Sequence, residues 1–238
     1  MKTKAFGITD IGMKRKLNED TFLVDEELGL FVVADGMGGH LGGEVASKLA
    51  AETMQKFCRE NKDLPPRDRL EKAVNRACEE IYTESKKDAG VAGMGTTVVA
   101  LLVDGGYVYI AQVGDSRVYL FAQGAAWQVT EDHTIVQEEI RAGLISHEDA
   151  IHHQHKNVIT RSVGYEKTAV VDIYRRKLQV NDTFLLCSDG LSGLVEIKEM
   201  LEQVEAHSME TGAEKLIELA NSRGGDDNIT IVLCRAME

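Results

Sequence analysis

Leu30-Phe31-Val32-Val33-Ala34-Asp35-Gly36-Met37-Gly38-Gly39-His40 is the stretch that decides how this chain is read. Five apolar residues in succession end on an aspartate and a glycine-rich turn. A strand with one wet face would alternate apolar and polar residues. An unbroken run suits a strand covered on both faces. It reads as a buried strand, and the turn leaves Asp35 at the strand end.

The same ending recurs along the chain. Gly114-Asp115 follows the apolar run Tyr107 to Val113, and Asp189-Gly190 follows Thr183 to Ser188. Gly225-Asp226-Asp227-Asn228 stands immediately before Ile229 to Cys234. Any one of these is ordinary turn chemistry. Four of them at strand ends are more than turns require. If the ends converge, the carboxylates repel one another and their pKa values rise. Divalent cations would remove that repulsion. Carboxylate oxygens select hard ions, Mg²⁺, Mn²⁺ or Ca²⁺, over zinc and copper. In two-ion sites the metals lie about 3.5–4 Å apart and share an activated water. The neighbouring glycines allow close backbone approach and can offer a carbonyl ligand.

Working outward, strands are predicted at 5–9 and 21–24, and helices at 43–59 and 68–86, with Pro65-Pro66 between them. The middle, 96–103, 107–113, 118–121 and 127–130, reads as a β-meander. The polar stretch 133–159 reads as short helices and loop. Strands are predicted at 170–178, 183–187 and 229–234, with a helix at 211–221. Hairpin-like strand runs and paired helices argue for an α+β fold with antiparallel sheets rather than alternating βαβ units. Nothing resembles a linker, so the 238 residues are expected to form one domain, 1–238.

The net charge of −12 argues against a nucleic-acid binder, which needs a basic face. Cys58, Cys78, Cys187 and Cys234 show no CxxC spacing and read as buried free thiols. No signal peptide follows Met1-Lys2-Thr3-Lys4, and the longest apolar run, Val98 to Val103, is too short to span a bilayer. A cytoplasmic protein without a membrane partner is expected. Near the N-terminus, Arg15-Lys16-Leu17-Asn18-Glu19-Asp20 offers a guanidinium fork able to grip phosphate oxygens, followed by two carboxylates.

Six segments in order now resemble the PPM (protein phosphatase 2C-like) Ser/Thr phosphatases of the compact bacterial kind. They are 15–20, 33–40, Gly93-Met94-Gly95-Thr96-Thr97, Val113-Gly114-Asp115-Ser116-Arg117, Cys187-Ser188-Asp189-Gly190-Leu191 and Gly224 to Thr230. The resemblance runs from about residue 4 to 235. It implies a four-layer α-β-β-α sandwich of two antiparallel sheets flanked by helices, with two Mn²⁺ or Mg²⁺ ions in a cleft at one end. It implies that Asp35 bridges the ions, that Asp189 and Asp227 complete one site, and that the Gly36 carbonyl serves the other. Glu19 and Asp20 would act through waters. Asp115, with Asp189, matches a third, weaker metal position, and Arg15 the phosphate clamp. Residues 133–163 match a flap beside the cleft. The implied reaction is hydrolysis of phosphoserine and phosphothreonine by a metal-bridging hydroxide, on phosphorylated proteins, opposite a bacterial Ser/Thr kinase. A monomer is expected.

Two positions depart from the pattern. His153-Gln154 stands where many relatives have His-Pro. Met37 stands where eukaryotic relatives carry a histidine proposed as general acid, which leaves His40 as a candidate. A zinc site at His152, His153 and His155 lacks an obvious fourth ligand. The glycine-rich turn lacks the Gly-Lys-Ser/Thr of a P-loop. A phosphoprotein-binding pseudo-phosphatase would show a lost metal aspartate, and none is lost.

Overall fold

The structure is a computed structural model that describes residues 2–38, 41–87, 89–151 and 153–238. The candidate acid His40 and the proposed zinc residue His152 lie outside them. In chain order the elements are β1 (Lys2–Asp10), β2 (Asp20–Asp25), β3 (Leu30–Met37), α1 (Gly42–Glu60), α2 (Pro66–Ser85), β4 (Gly95–Thr96), β5 (Val98–Asp104), β6 (Tyr107–Val113), β7 (Arg117–Ala122) and β8 (Ala125–Gln128). They continue with α3 (Ile135–Arg141), α4 (His147–Ile151), β9 (Asp172–Lys177), β10 (Thr183–Cys187), α5 (Asp189–Ser192), α6 (Ile197–Ala206), α7 (Met209–Ser222) and β11 (Ile229–Met237).

Two antiparallel sheets result. One has the order β1-β11-β10-β7-β8, the other β2-β3-β5-β6-β9 with β4 added on β3. The apolar run in β3 behaves as a strand covered on both faces should. Leu30, Val32 and Ala34 pack towards α1 and α2, against Ala50, Met54, Leu70 and Ile81. Phe31 and Val33 point the other way and meet Phe184, Leu186 and Val232 of the facing sheet. That facing sheet is double-sided in turn: Leu185, Ile231 and Leu233 pack on Met200, Leu216 and Ile217 of α6 and α7. Side chains of period two on each strand thus build three apolar layers and the α-β-β-α order.

Three expectations need correcting. The four middle strands do not form a meander. β5 pairs with β6 and β7 with β8, but β6 and β7 belong to different sheets. The chain crosses between sheets at Gly114 to Ser116, so the turn that carries Asp115 is a crossover. The predicted strand at 96–103 is interrupted at Thr97, which separates β4 from β5. Helices α5 and α6 were not predicted. α6 has apolar Ile197, Met200, Leu201 and Val204 at helical spacing and a capping box made by Glu196 and Glu199. Those residues carried a readable signal. All four cysteines are buried free thiols, as expected. Among the described residues, no helix is long and apolar enough to cross a membrane.

Candidate active site

Strand ends bring the aspartates together. Asp20 and Asp35 are direct cross-strand partners of β2 and β3. Asp189 follows β10, Asp227 precedes β11, and Asp115 sits in the crossover between sheets. Arg15, Glu19, Asp35, Gly36, Asp115, Asp189 and Asp227 all line one cleft of about 370 Å³ at this end of the sandwich. Of the described residues expected to bind metal or phosphate, Asp20 alone stands behind the wall. It is buried, and its Oδ2 accepts hydrogen bonds from Ser188 Oγ (2.7 Å) and Thr230 Oγ1 (2.6 Å).

The backbone around Asp35 is held from several sides. Asp35 N–H donates to Thr97 Oγ1 (3.1 Å), and Thr97 N–H donates to the Asp35 carbonyl (2.8 Å). The break between β4 and β5 serves this pair of bonds. Gly36 must be glycine for a reason other than ion approach. A Cβ there would lie 2.0 Å from the Gly43 carbonyl oxygen and 2.5 Å from that of Glu19, so the start of α1 packs directly on the strand end.

The electrostatics are those of crowded carboxylates. Burial pushes the Asp20 carboxyl up to about 7, against the lowering effect of its two hydroxyl donors. Burial, then the charges of Asp20, Asp189, Asp115 and Asp227, hold Asp35 well above the usual carboxylate range. Asp115 is pushed up to about 7 by burial and by Asp189. Asp189 is raised by burial and by Asp227, partly offset by a hydrogen bond from Asp35. Glu19 is raised by burial, against the charge of Arg15. Arg15 reaches across the cleft mouth, and its Nη2 donates to Asp227 Oδ2 at 2.5 Å.

The residues present fit hard divalent cations. Glu19 Oε1, Asp20 Oδ1 and Asp189 Oδ1 are buried without a hydrogen-bond partner, an expensive arrangement unless a cation or its water shell satisfies them. No cysteine or histidine lines the cleft among the described residues, so a soft-metal site does not fit. Among the described residues, no group of three or more histidine, cysteine, aspartate or glutamate side chains is already arranged to hold a metal ion. The carboxylates line an open cleft instead. His153 and His155, from the set-aside zinc reading, stack edge to face at 5.6 Å, and His153 Nε2 lies 3.5 Å from Glu139.

Sequence reasoning gave no role to residues that position the site. Asn228 lines the cleft; its Oδ1 accepts from Glu19 N–H (2.8 Å), and its Nδ2 donates to the carbonyls of Ile11 and Leu17 (3.0 Å each). One amide thus folds the whole Arg15 loop against β11. The signal was its place directly after Asp227. His133 Nδ1 accepts from Gly114 N–H (3.1 Å), and its Nε2 meets Asp172 (3.1 Å), tying the Asp115 crossover to β9. Arg117 forks onto Asp132 with Nε and Nη2 at 2.7–3.1 Å.

The protein phosphatase 2C family model matches residues 13–230. The serine/threonine phosphatase stp of Listeria innocua is 40% identical over 235 residues, covering 94% of this chain and 92% of that protein. The crystal structure of the Mycobacterium tuberculosis serine/threonine phosphatase PstP/Ppp superposes with a TM-score of 0.94 at 32% identity, covering 100% of both chains. The catalytic domain of a phosphatase PstP in complex with two manganese ions gives a TM-score of 0.89 at 32% identity, over 100% of this chain and 99% of that one.

Proposed function

The chain belongs to the protein phosphatase 2C family, and from that premise we propose how its cleft hydrolyses phosphoserine and phosphothreonine in proteins. It is a Ser/Thr protein phosphatase, and the two-manganese complex of its relative supports metal dependence. The observation that carries the reading is the convergence of Asp35, Asp189 and Asp227, remote in sequence, on one cleft, where the carboxyls of Asp35 and Asp189 are held above their usual range and one Asp189 oxygen is orphaned.

Two Mn²⁺ or Mg²⁺ ions would supply an activated water and neutralise charge on the phosphoryl oxygens. Asp35, Asp189 and Asp227 hold them with the Gly36 carbonyl, and Glu19 and Asp20 orient their water shell. Asp115 and Asp189 offer a third, weaker position. Arg15 turns its fork to the phosphate and fixes it for in-line displacement. Direct attack by water is supported by the cleft wall itself. Among its described residues only Thr97 carries a hydroxyl, and that hydroxyl is engaged by Asp35 N–H and Ser116 Oγ. The protein is proposed to act as a monomeric single domain, 1–238, in the cytoplasm, opposite a Ser/Thr kinase. Its four free thiols support a reducing compartment.

The test is phosphate release from a phosphothreonine peptide, set against a phosphotyrosine peptide. Release is expected with Mn²⁺, reversibly lost in EDTA, and abolished by Asp35→Asn. Full activity of Asp35→Asn on p-nitrophenyl phosphate with Mn²⁺ overturns the assignment.

A further inference from the structure

A second cavity, of about 490 Å³, adjoins the catalytic cleft, and the two share Met37 and Ile159 as common wall. Its far side is formed by Tyr165, Ala169 and Val170. Tyr165 and Val170 are 67% and 69% exposed, so their apolar surface is open to a partner. The backbone that carries them is nonetheless pinned. Val163 exchanges two hydrogen bonds with Thr96 (2.8 and 3.0 Å). Gly164 N–H donates to Cys78 Sγ (3.2 Å), and that thiol donates to the Glu166 carbonyl (3.1 Å). Ala169 N–H donates to Asn75 Oδ1 (3.1 Å). Gly164, at φ +98°, lies so close to α2 that a Cβ would meet Ile81 Cγ2 at 2.1 Å. The loop is thus fastened to α2 and β4 while its apolar side chains face the cavity, which lowers the ordering cost of anything that docks there.

We propose that this cavity is a substrate subsite, which takes an apolar or aromatic side chain of the phosphoprotein within a few residues of the phosphorylated one. The inference rests on the phosphatase reading above. Continuity with the cleft identifies the occupant, because a chain whose phosphate lies at Arg15 and Asp35 must leave along a wall, and Met37 and Ile159 lead here. Charge selects its character. Arg161, the lining cation, donates to Asp172 at 2.9 Å and is already neutralised, and Glu166 adds a negative charge at the rim. An acidic flanking residue is therefore disfavoured and an apolar one gains burial. The volume lies within the range of about 300–1,000 Å³ typical of ligand pockets.

The experiment compares two phosphothreonine peptides that differ only in having leucine or aspartate beside the phosphothreonine, scanned over the two positions on each side, with p-nitrophenyl phosphate as a substrate too small to reach the cavity. The wild type is expected to prefer leucine at one position through KM. Tyr165→Ala and Val170→Asp are expected to raise KM for that peptide roughly tenfold, which corresponds to about 1.4 kcal/mol. Their kcat, and their rate on p-nitrophenyl phosphate, should stay at wild-type values. Equal KM for both peptides at every position, or variants that leave the preference intact, overturns the subsite. So does a loss on p-nitrophenyl phosphate that matches the loss on peptide. A wild type inactive on p-nitrophenyl phosphate and peptides alike refutes the phosphatase reading instead.

Discussion

Asp20 and Asp35 face each other across neighbouring strands, the arrangement that antiparallel pairs normally avoid for like charges. Two hydroxyls make it tolerable. Ser188 and Thr230 both donate to Asp20 Oδ2, and Thr230 is held in turn by Thr9 Oγ1 at 2.7 Å. Thr230→Val keeps the shape and removes one donor from a buried carboxylate. It should cost about 1–3 kcal/mol by urea unfolding of the metal-free protein, the penalty of an under-satisfied buried group. Asp189→Asn acts in the other direction. The amide removes a charge whose neighbours repel it, so the metal-free protein should gain about 1 kcal/mol, or a Tm higher by roughly 2–4 °C. The same variant should lose turnover on p-nitrophenyl phosphate and its stabilisation by Mn²⁺. A calorimetric Tm below wild type would contradict the repulsion argument.

At the scale of elements, the crossover from β6 to β7 matters most, because it throws Asp115 towards the cleft. Arg117 opens β7, and its fork on Asp132 closes the far end of the β7–β8 hairpin beside that aspartate. Arg117 is mostly buried and Asp132 is 13% exposed, so Arg117→Met leaves a carboxylate uncompensated. The expected cost is about 3 kcal/mol in chemical denaturation. Asp132→Asn should recover much of it in the double variant, which separates charge from packing. The strands themselves were legible. Runs such as Leu30 to Ala34 and Tyr107 to Val113 are apolar because both faces are covered, and β6 and β10 have the boundaries read from sequence. Sheet membership was not legible. A short Gly-Asp-Ser segment reads equally as a hairpin turn or as a passage between sheets, and only the partners of β7 decide. The cleft aspartates were recognisable from their strand-end pattern. Asn228, Thr97 and His133 were less so, since their work is bonding to backbone that is distant in sequence.

Over the whole molecule, the clustered carboxylates make stability a function of pH and metal together. Glu19, Asp20, Asp35, Asp115 and Asp189 are all raised above their ordinary values, with Asp20 and Asp115 at about 7. In the unfolded chain such groups release their protons near pH 4. Between about pH 4 and 7 the folded metal-free protein therefore holds protons that the unfolded chain has lost, and its stability must fall as pH rises through that window. Asp25 and Asp172 are shifted the other way, so their contribution is lost only as pH drops below the usual carboxylate range. His133, lowered by burial, opposes the trend near the top of the window, one group against the five named. A cation that binds the ionised cluster displaces the same protons, so its affinity should climb with pH. Metal-free Tm is thus expected to decrease from pH 5 to pH 7.5, while the increment added by Mn²⁺ grows over the same range. Titration calorimetry in two buffers of different ionisation enthalpy should register proton release on Mn²⁺ binding at pH 6 and less at pH 8. A metal-free Tm that holds level or climbs across the interval would mean that the aspartates are not competing for charge, and the cleft would lose its reason for wanting cations.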